Sequence, residues 1–316
     1  MEFFVVSALN GIVYGILLFM VSAGLTLIFG MMSVLNFAHA SFYMIGAYVG
    51  YISTGCWGFW QGLILAPLLV GGGGMVVERY CLRRVHKFGH AYELLLTFGI
   101  AFIIAETVKL FFGPAPVDYP VPPQLRFAAF TIYGTQYPFY RVLMGAISVS
   151  MFIFLFGVIK FTRIGIIVRA AVHKPQMVNA LGYNVPLVFM GVFGVGAALA
   201  GLAGSVAGAF YPTSPNMALD LGLIVFVVVV VGGLGSLEGA FLASMIIGLS
   251  TSFVVGINWC LADVFGLVGM GERFRSMGGV FTVELNSVAG LLPYAFMLII
   301  LVVRPAGLLG EKQAAL

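Results

Sequence analysis

No aspartate, glutamate, lysine or arginine occurs from Phe3 to Val77, an interval of 75 residues. A helix that crosses a bilayer needs about 20 predominantly apolar residues, so this interval has room for three spans and two tight connections. Soluble domains carry about 25% charged residues. This 316-residue chain carries 8%, is 61% hydrophobic and has a mean hydropathy of +1.11. Such a chain is stable only where lipid replaces water and each segment satisfies its own backbone. Secreted disulfide scaffolds, disordered tails and nucleic-acid binders are excluded on the same ground. The expected fold is an all-α polytopic membrane protein, one transmembrane domain over 1–316, with membrane lipid as its surroundings.

Hydropathy places spans at 6–30, 34–53, 58–77, 91–112, 140–160 and 186–210. A glycine-interrupted region follows at 219–257, then a last span at 286–303. The total is eight or nine, according to whether 219–234 crosses or is re-entrant. The acidic start and the lack of a small-residue cleavage site read as a retained first span rather than a signal peptide. With nine spans, Arg79, Arg83, Arg84, Lys87, Lys160, Arg163, Arg169, Lys174, Arg304 and Lys312 share one side. Arg126, Arg273, Arg275 and the membrane-edge Lys109 and Arg141 belong to the other. The positive-inside bias makes the first side cytoplasmic, with the N-terminus periplasmic and the C-terminus cytoplasmic. The periplasmic loops are then 113–138 and 258–284. Six prolines in the first (Pro114, Pro116, Pro120, Pro122, Pro123, Pro138) predict an extended, polyproline-like surface. Three cysteines make no framework; Cys56 and Cys260 fall on the same expected side.

Several chemistries have no residues to carry them. No Gly-Lys dipeptide occurs, so the chain has no phosphate-binding P-loop of its own. Ion-coupled transporters usually set ionisable groups at mid-membrane; here Glu106 and Lys109 sit three apart near a span end, where they pair on one helix face. His86 and His90, near Cys81, lack a fourth ligand and read as a basic, solvated loop rather than a zinc site. Glu93 reads as interfacial. No metal, cofactor or catalytic set is expected. Stripes of small residues, such as Gly191, Gly194, Ala198, Gly201, Ala203, Gly204, Ala207 and Gly208, read as helix-packing surface.

Three segments stand out. In 24–48, Asn36, His39, Ser41 and Tyr43 are polar groups in an apolar run, and buried polar groups need partners. Asn36 is placed to cap the next helix, whose exposed N–H groups suit a carboxylate. These residues either line a substrate path or are satisfied by neighbouring helices. In 164–185, a short amphipathic helix presents Met177, Ala180 and Leu181 and ends at Gly182, as a C-cap glycine would. It either seats in another protein's groove or lies on lipid. In 220–240, an apolar run stops at Gly232-Gly233 and restarts after Gly239. With 24–40, this gives one glycine-interrupted segment per half, a sequence pointer to a transporter's central site.

NFAHASFYMIGAY, RAAVHKPQMVNALGYNV, VVVVVGGLGSLEGAF and the closing VRPAGLLGE together resemble the branched-chain amino-acid (Liv-type) permeases of ATP-binding-cassette (ABC) importers, in the same order and over essentially the whole chain. The resemblance implies a type II importer-like permease fold and a permease subunit without enzymatic activity. Its partners would be a second permease subunit, forming a heterodimeric pore, two ATPase subunits that use the ATP, and a periplasmic binding protein. It implies a bacterial inner-membrane location. It also implies that 164–184, with Arg169, Met177, Ala180, Leu181, Gly182 and Tyr183, and the turn with Gly232, Gly233, Gly235 and Glu238, face the ATPases. Asn36, His39, Ser41 and Tyr43 are the expected path residues. Ala40 stands where the family usually has Gly, His173-Lys174-Pro175 replaces an acidic stretch, and Glu238 replaces a frequent Pro. The implied cargo is a branched-chain amino acid or a related small polar solute such as urea, amides or aromatic acids. The competing class is a passive channel or ion-coupled secondary transporter.

Overall fold

Helix α1 (Glu2–Met32) has 31 residues and reaches about 46 Å at 1.5 Å per residue, well beyond the ~30 Å hydrocarbon core. It stops at Ser33, a non-glycine residue at φ +54°. The computed structural model describes residues 2–132, 135–257, 260, 263, 279 and 283–310. Arg273, Arg275, Lys312 and most of the expected loop 258–284 lie outside the described residues.

After the irregular stretch 33–38, α2 (His39–Cys56) and α3 (Phe59–Val77) form a hairpin. Helix α3 does not end at the membrane edge. It continues through a π-turn (Glu78–Leu82), α4 (Arg83–Val85) and a 3-10 turn (His86–Phe88). Gly89, at φ +102°, turns the chain into α5 (His90–Phe112). Then come α6 (Phe139–Phe161), α7 (Arg163–His173), α8 (Pro175–Ala180) and α9 (Val185–Ala207). The chain continues as α10 (Met217–Gly232) and α11 (Leu237–Gly256), and a 3-10 segment (Leu285–Leu291) leads into α12 (Leu292–Val303).

Seven helices among the described residues are long and apolar enough to cross a membrane. Helices α2 and α10 are not among them: α2 is diluted by polar residues and α10 has only 16. Both are nonetheless traverses of the bundle. Gly235, just before α11, touches Gly30 in the last turn of α1, whereas Gly208, just after α9, touches Ala47 well along α2. Ser252 near the end of α11 donates to the Ser7 carbonyl near the start of α1. Helix α10 therefore joins opposite ends, and the segment 219–234 crosses, giving nine traverses among the described residues.

The loop 113–138 departs from the polyproline-like expectation. It holds a 3-10 turn at Pro123–Leu125 and an antiparallel hairpin, β1 (Ala128–Ile132) with β2 (Thr135–Pro138), in which Phe130 pairs with Tyr137. Those rings stack at 5.2 Å. Aromatic cross-strand pairs favour the pleat; five of the six prolines precede the hairpin and Pro138 ends its second strand.

Small residues set how closely the helices approach. A Cβ on Gly46 of α2 would stand 2.5 Å from the Gly201 Cα of α9, and a Cβ on Gly248 of α11 would stand 2.5 Å from the Gly15 Cα of α1. Backbones this close gain dispersion contacts that lipid cannot supply. Between these crossings, Phe19 packs edge-on against Phe152 and Phe241.

Candidate translocation path and drive face

Helix α2 is largely buried between its neighbours. Asn36, His39, Ser41 and Tyr43 are all buried. Its first turn lies deep in the bundle: His39 Nε2 donates to the Val21 carbonyl of α1 at 2.9 Å, and the imidazole backs onto Gly24. Asn36 does not cap the helix directly. The N-cap is Ala38, and Asn36 Oδ1 accepts from the Ala38 N–H at 3.1 Å, holding the turn that precedes α2.

This arrangement leaves polar atoms over. With Nε2 donating, His39 Nδ1 is an acceptor without a partner; Asn36 Nδ2, Tyr43 Oη, Tyr48 Oη and Ser205 Oγ are likewise buried without hydrogen bonds. Neighbouring helices thus satisfy only part of the set. Tyr211 lies within electrostatic reach of both Tyr43 and Tyr14. On α2, His39 and Tyr43 lie four residues apart on one face, whereas Tyr48 turns to Phe112 of α5 at 4.6 Å.

Asn36 and His39 share a small cavity of about 30 Å³ with Leu25, Phe37, Gly222 and Phe226. Ser41 and Tyr43 do not reach it. Phe37 and Phe226, both in its lining, stack at 5.9 Å. The Phe37 N–H donates to Thr97 Oγ1 on α5 at 3.3 Å, tying the break to that helix. Phe37 and Phe226 have no polar signature, so sequence patterning does not single them out; Thr97 is a polar residue in an apolar run, a signal the sequence carried. Asp220 is exposed in the first turn of α10, two residues before Gly222. An ionisable side chain on a membrane helix is a functional candidate by default, a signal the sequence did carry.

At the α9 end, Tyr119 of the loop 113–138 donates to the Ser205 carbonyl at 3.0 Å, and burial pushes its phenol pKa up. Arg141 bonds the Asn10 side chain and lies between the Tyr137 and Phe210 rings, at 5.4 and 4.8 Å. The loop is thereby fastened to the bundle.

The opposite end carries α7 and α8. Gly182, at φ +89°, closes α8: the Tyr183 N–H donates to the Val178 carbonyl and the Gly182 N–H to that of Asn179, the paired bonds of a Schellman C-cap. Val178 faces inward with Ala171 and Val185. Met177, Leu181 and Tyr183 are exposed, Leu181 by 72%, and Ala180 and Arg169 are exposed beside them. The glycines of the α10–α11 turn behave differently from the expectation. Gly232 and Gly233 are buried; Cβ atoms there would strike Ala240 N and Gly310 Cα at 2.5 and 2.6 Å. The tail folds back onto this turn, with the Leu308 and Leu309 N–H groups donating to the Val231 and Gly232 carbonyls. Gly232, Gly233 and Gly235 thus serve close packing, and Glu238 is the exposed polar side chain of the turn.

The stretch 78–93 is also more ordered than a solvated loop. The Arg83 guanidinium lies 2.6 Å from the buried Glu78 carboxylate. Glu93, 1% exposed at its side chain, is held by both His86 and His90. Among the described residues no group of three or more His, Cys, Asp or Glu is placed to hold a metal, and Cys56 and Cys260 are free.

The family model described as "Branched-chain amino acid transport system / permease component" matches residues 7–301. The chain belongs to that family. Among curated relatives, this permease is 25% identical to the high-affinity branched-chain amino acid transport system permease protein BraD of Pseudomonas aeruginosa, over 96% of this chain and 95% of that one. It is 24% identical to LivH of Escherichia coli K12 over 98% and 97%. It is 27% identical to the probable permease protein LivH of Methanocaldococcus jannaschii over 81% and 82%. The permease is a multi-pass membrane transport component and works as one part of a larger system.

Proposed function

We propose that this permease is one half of the pore of an ABC importer in a bacterial inner membrane, carrying branched-chain amino acids or a related small polar solute inward. The relatives' names supply the cargo class. The observation that carries the path is the row of buried, unpartnered polar atoms on α2. In a membrane protein such atoms cost free energy unless something polar meets them, and a solute in transit does so. Asn36, His39 and Tyr43 line the path, Phe37 and Phe226 close it, and the Asp220 carboxylate meets the cargo's ammonium group.

The N-terminus is periplasmic, so 113–138 and 258–284 receive cargo from a periplasmic binding protein, while α7, α8 and the C-terminus are cytoplasmic. A second permease completes the pore. Two ATPase subunits bind ATP and seat against the exposed face of α8, at Met177, Ala180, Leu181, Gly182 and Tyr183, while Arg169 and Glu238, expected to join them, line the cavity between α1, α6, α7 and α11. Their closure moves α7 and α8 as levers and switches access from one side to the other. Coupling requires contacts that differ between the two states, and the exposed face of α8 supplies them.

The deciding experiment is co-purification followed by reconstitution. The tagged permease is expected to bring down ATP-hydrolysing subunits, and vesicles with the binding protein are expected to accumulate labelled leucine only with ATP. Accumulation indifferent to ATP refutes the reading.

A further inference from the structure

A second cavity, about 300 Å³, opens between α1, α6, α7 and the start of α11, distinct from the path along α2. Its size is at the small end of ligand pockets. Leu27 and Phe156 contribute apolar wall, and Lys160, Arg169 and Glu238 contribute charge. Thr26 lines the same cavity; it is 1% exposed and its Oγ1 has no hydrogen-bond partner. Glu238 has no ion pair among the described residues. The Lys160 ammonium sits 4.7 Å from the Phe156 ring centre, and Arg169 spends one N–H on the Ile159 carbonyl, leaving its other donors free.

We infer that this pocket binds a small zwitterion with an apolar side chain, an amino acid on the cytoplasmic face. The carboxylate pairs with Lys160 and Arg169, the ammonium with Glu238, and the side chain lies against Leu27 and Phe156. A nucleotide is too large for the space, and a lipid phosphate or fatty-acid anion leaves the Glu238 carboxylate opposed. The site assignment stands on the pocket alone. Its consequence rests on the transport reading above: an amino acid there ties α7 to the first turn of α11, two segments whose relative motion drives the cycle. Accumulated product then slows further uptake.

The test is a titration of the assembled transporter in nanodiscs, without binding protein, with labelled L-leucine. Saturable binding is expected, with leucinamide and 4-methylpentanoate competing at least about tenfold more weakly, as loss of a charge-assisted bond requires. Lys160→Gln is expected to weaken leucine by a similar ~10-fold factor. Glu238→Gln is expected to abolish the preference over 4-methylpentanoate. No binding, or binding unchanged in both variants, overturns the site. In proteoliposomes, leucine on the cytoplasmic-equivalent face is expected to slow wild-type uptake severalfold and to leave Lys160→Gln uptake unaffected. Uptake that proceeds regardless of that leucine overturns the regulatory consequence and leaves the transport reading intact. If no ATP-dependent uptake occurs at all, the transport reading fails and the titration alone decides the site.

Discussion

Replacing Gly46 by alanine adds one methyl group where α2 crosses α9. The new Cβ would stand 2.5 Å from the Gly201 Cα, and ordinary contacts begin at 3.4 Å. The helices must therefore separate by at least the difference, 0.9 Å, because the Gly201 carbonyl oxygen lies closer still. The atom it meets belongs to backbone, so no rotamer change relieves the overlap. Overpacking of this kind costs about 1–3 kcal/mol, and the same crossing positions the unpartnered polar groups of α2. At about 2–4 °C per kcal/mol for chains of 150–250 residues, the expected fall in apparent melting temperature is ~5 °C. Uptake by reconstituted vesicles should fall more steeply, because α2 also carries His39. The control is Gly72→Ala on α3, an exposed helical position with nothing within 4 Å. There alanine should be neutral or stabilising by up to about 1 kcal/mol from propensity alone. Thermal unfolding of both variants in the same detergent decides it. Equal melting temperatures for wild type and Gly46→Ala would refute the claim that this glycine sets the crossing distance.

His39→Ala removes the bond to Val21 and a path lining at once; uptake is expected to drop at least about tenfold, consistent with loss of a buried hydrogen-bonded group, while partner subunits still co-purify. Gly182→Trp forces a side chain into left-handed backbone at a cost of roughly 1–2 kcal/mol and crowds the exposed face, so ATPase co-purification should be lost although the variant still inserts. Arg83→Met strands the buried Glu78 carboxylate and should destabilise by about 3–5 kcal/mol, whereas Glu106→Gln breaks an exposed pair and should change stability by less than about 1 kcal/mol; parallel thermal melts compare the two.

The spans were legible because lipid punishes polar backbone and charge alike: helix ends fall within a few residues of the hydropathy boundaries at 91–112, 140–160 and 286–303. Sidedness by charge likewise groups Arg79 to Lys87 with Lys160 to Lys174 at one end of the bundle. The continuation of α3 to Phe88 was hidden because a π-turn leaves no sequence mark, and the Glu93 clamp was hidden because its two histidines precede it in what reads as a basic loop. Asn36 and His39 announced themselves as polar residues in an apolar run. Their aromatic neighbours, Phe37 and Phe226, did not, since a pair joined from α10 and the α1–α2 break is a tertiary event. Gly232 and Gly233 read as a docking surface and are interior, because one small residue serves a turn, a crossing and an interface equally well.

Helices α2 and α10 contain 18 and 16 residues, or about 27 and 24 Å of helix. The oily slab they sit in is about 30 Å deep. Both therefore begin short of the full depth, with irregular backbone making up the remainder. Polar backbone at those ends must be met inside the protein rather than by bulk water, as the Asn36 side chain does for the turn before α2.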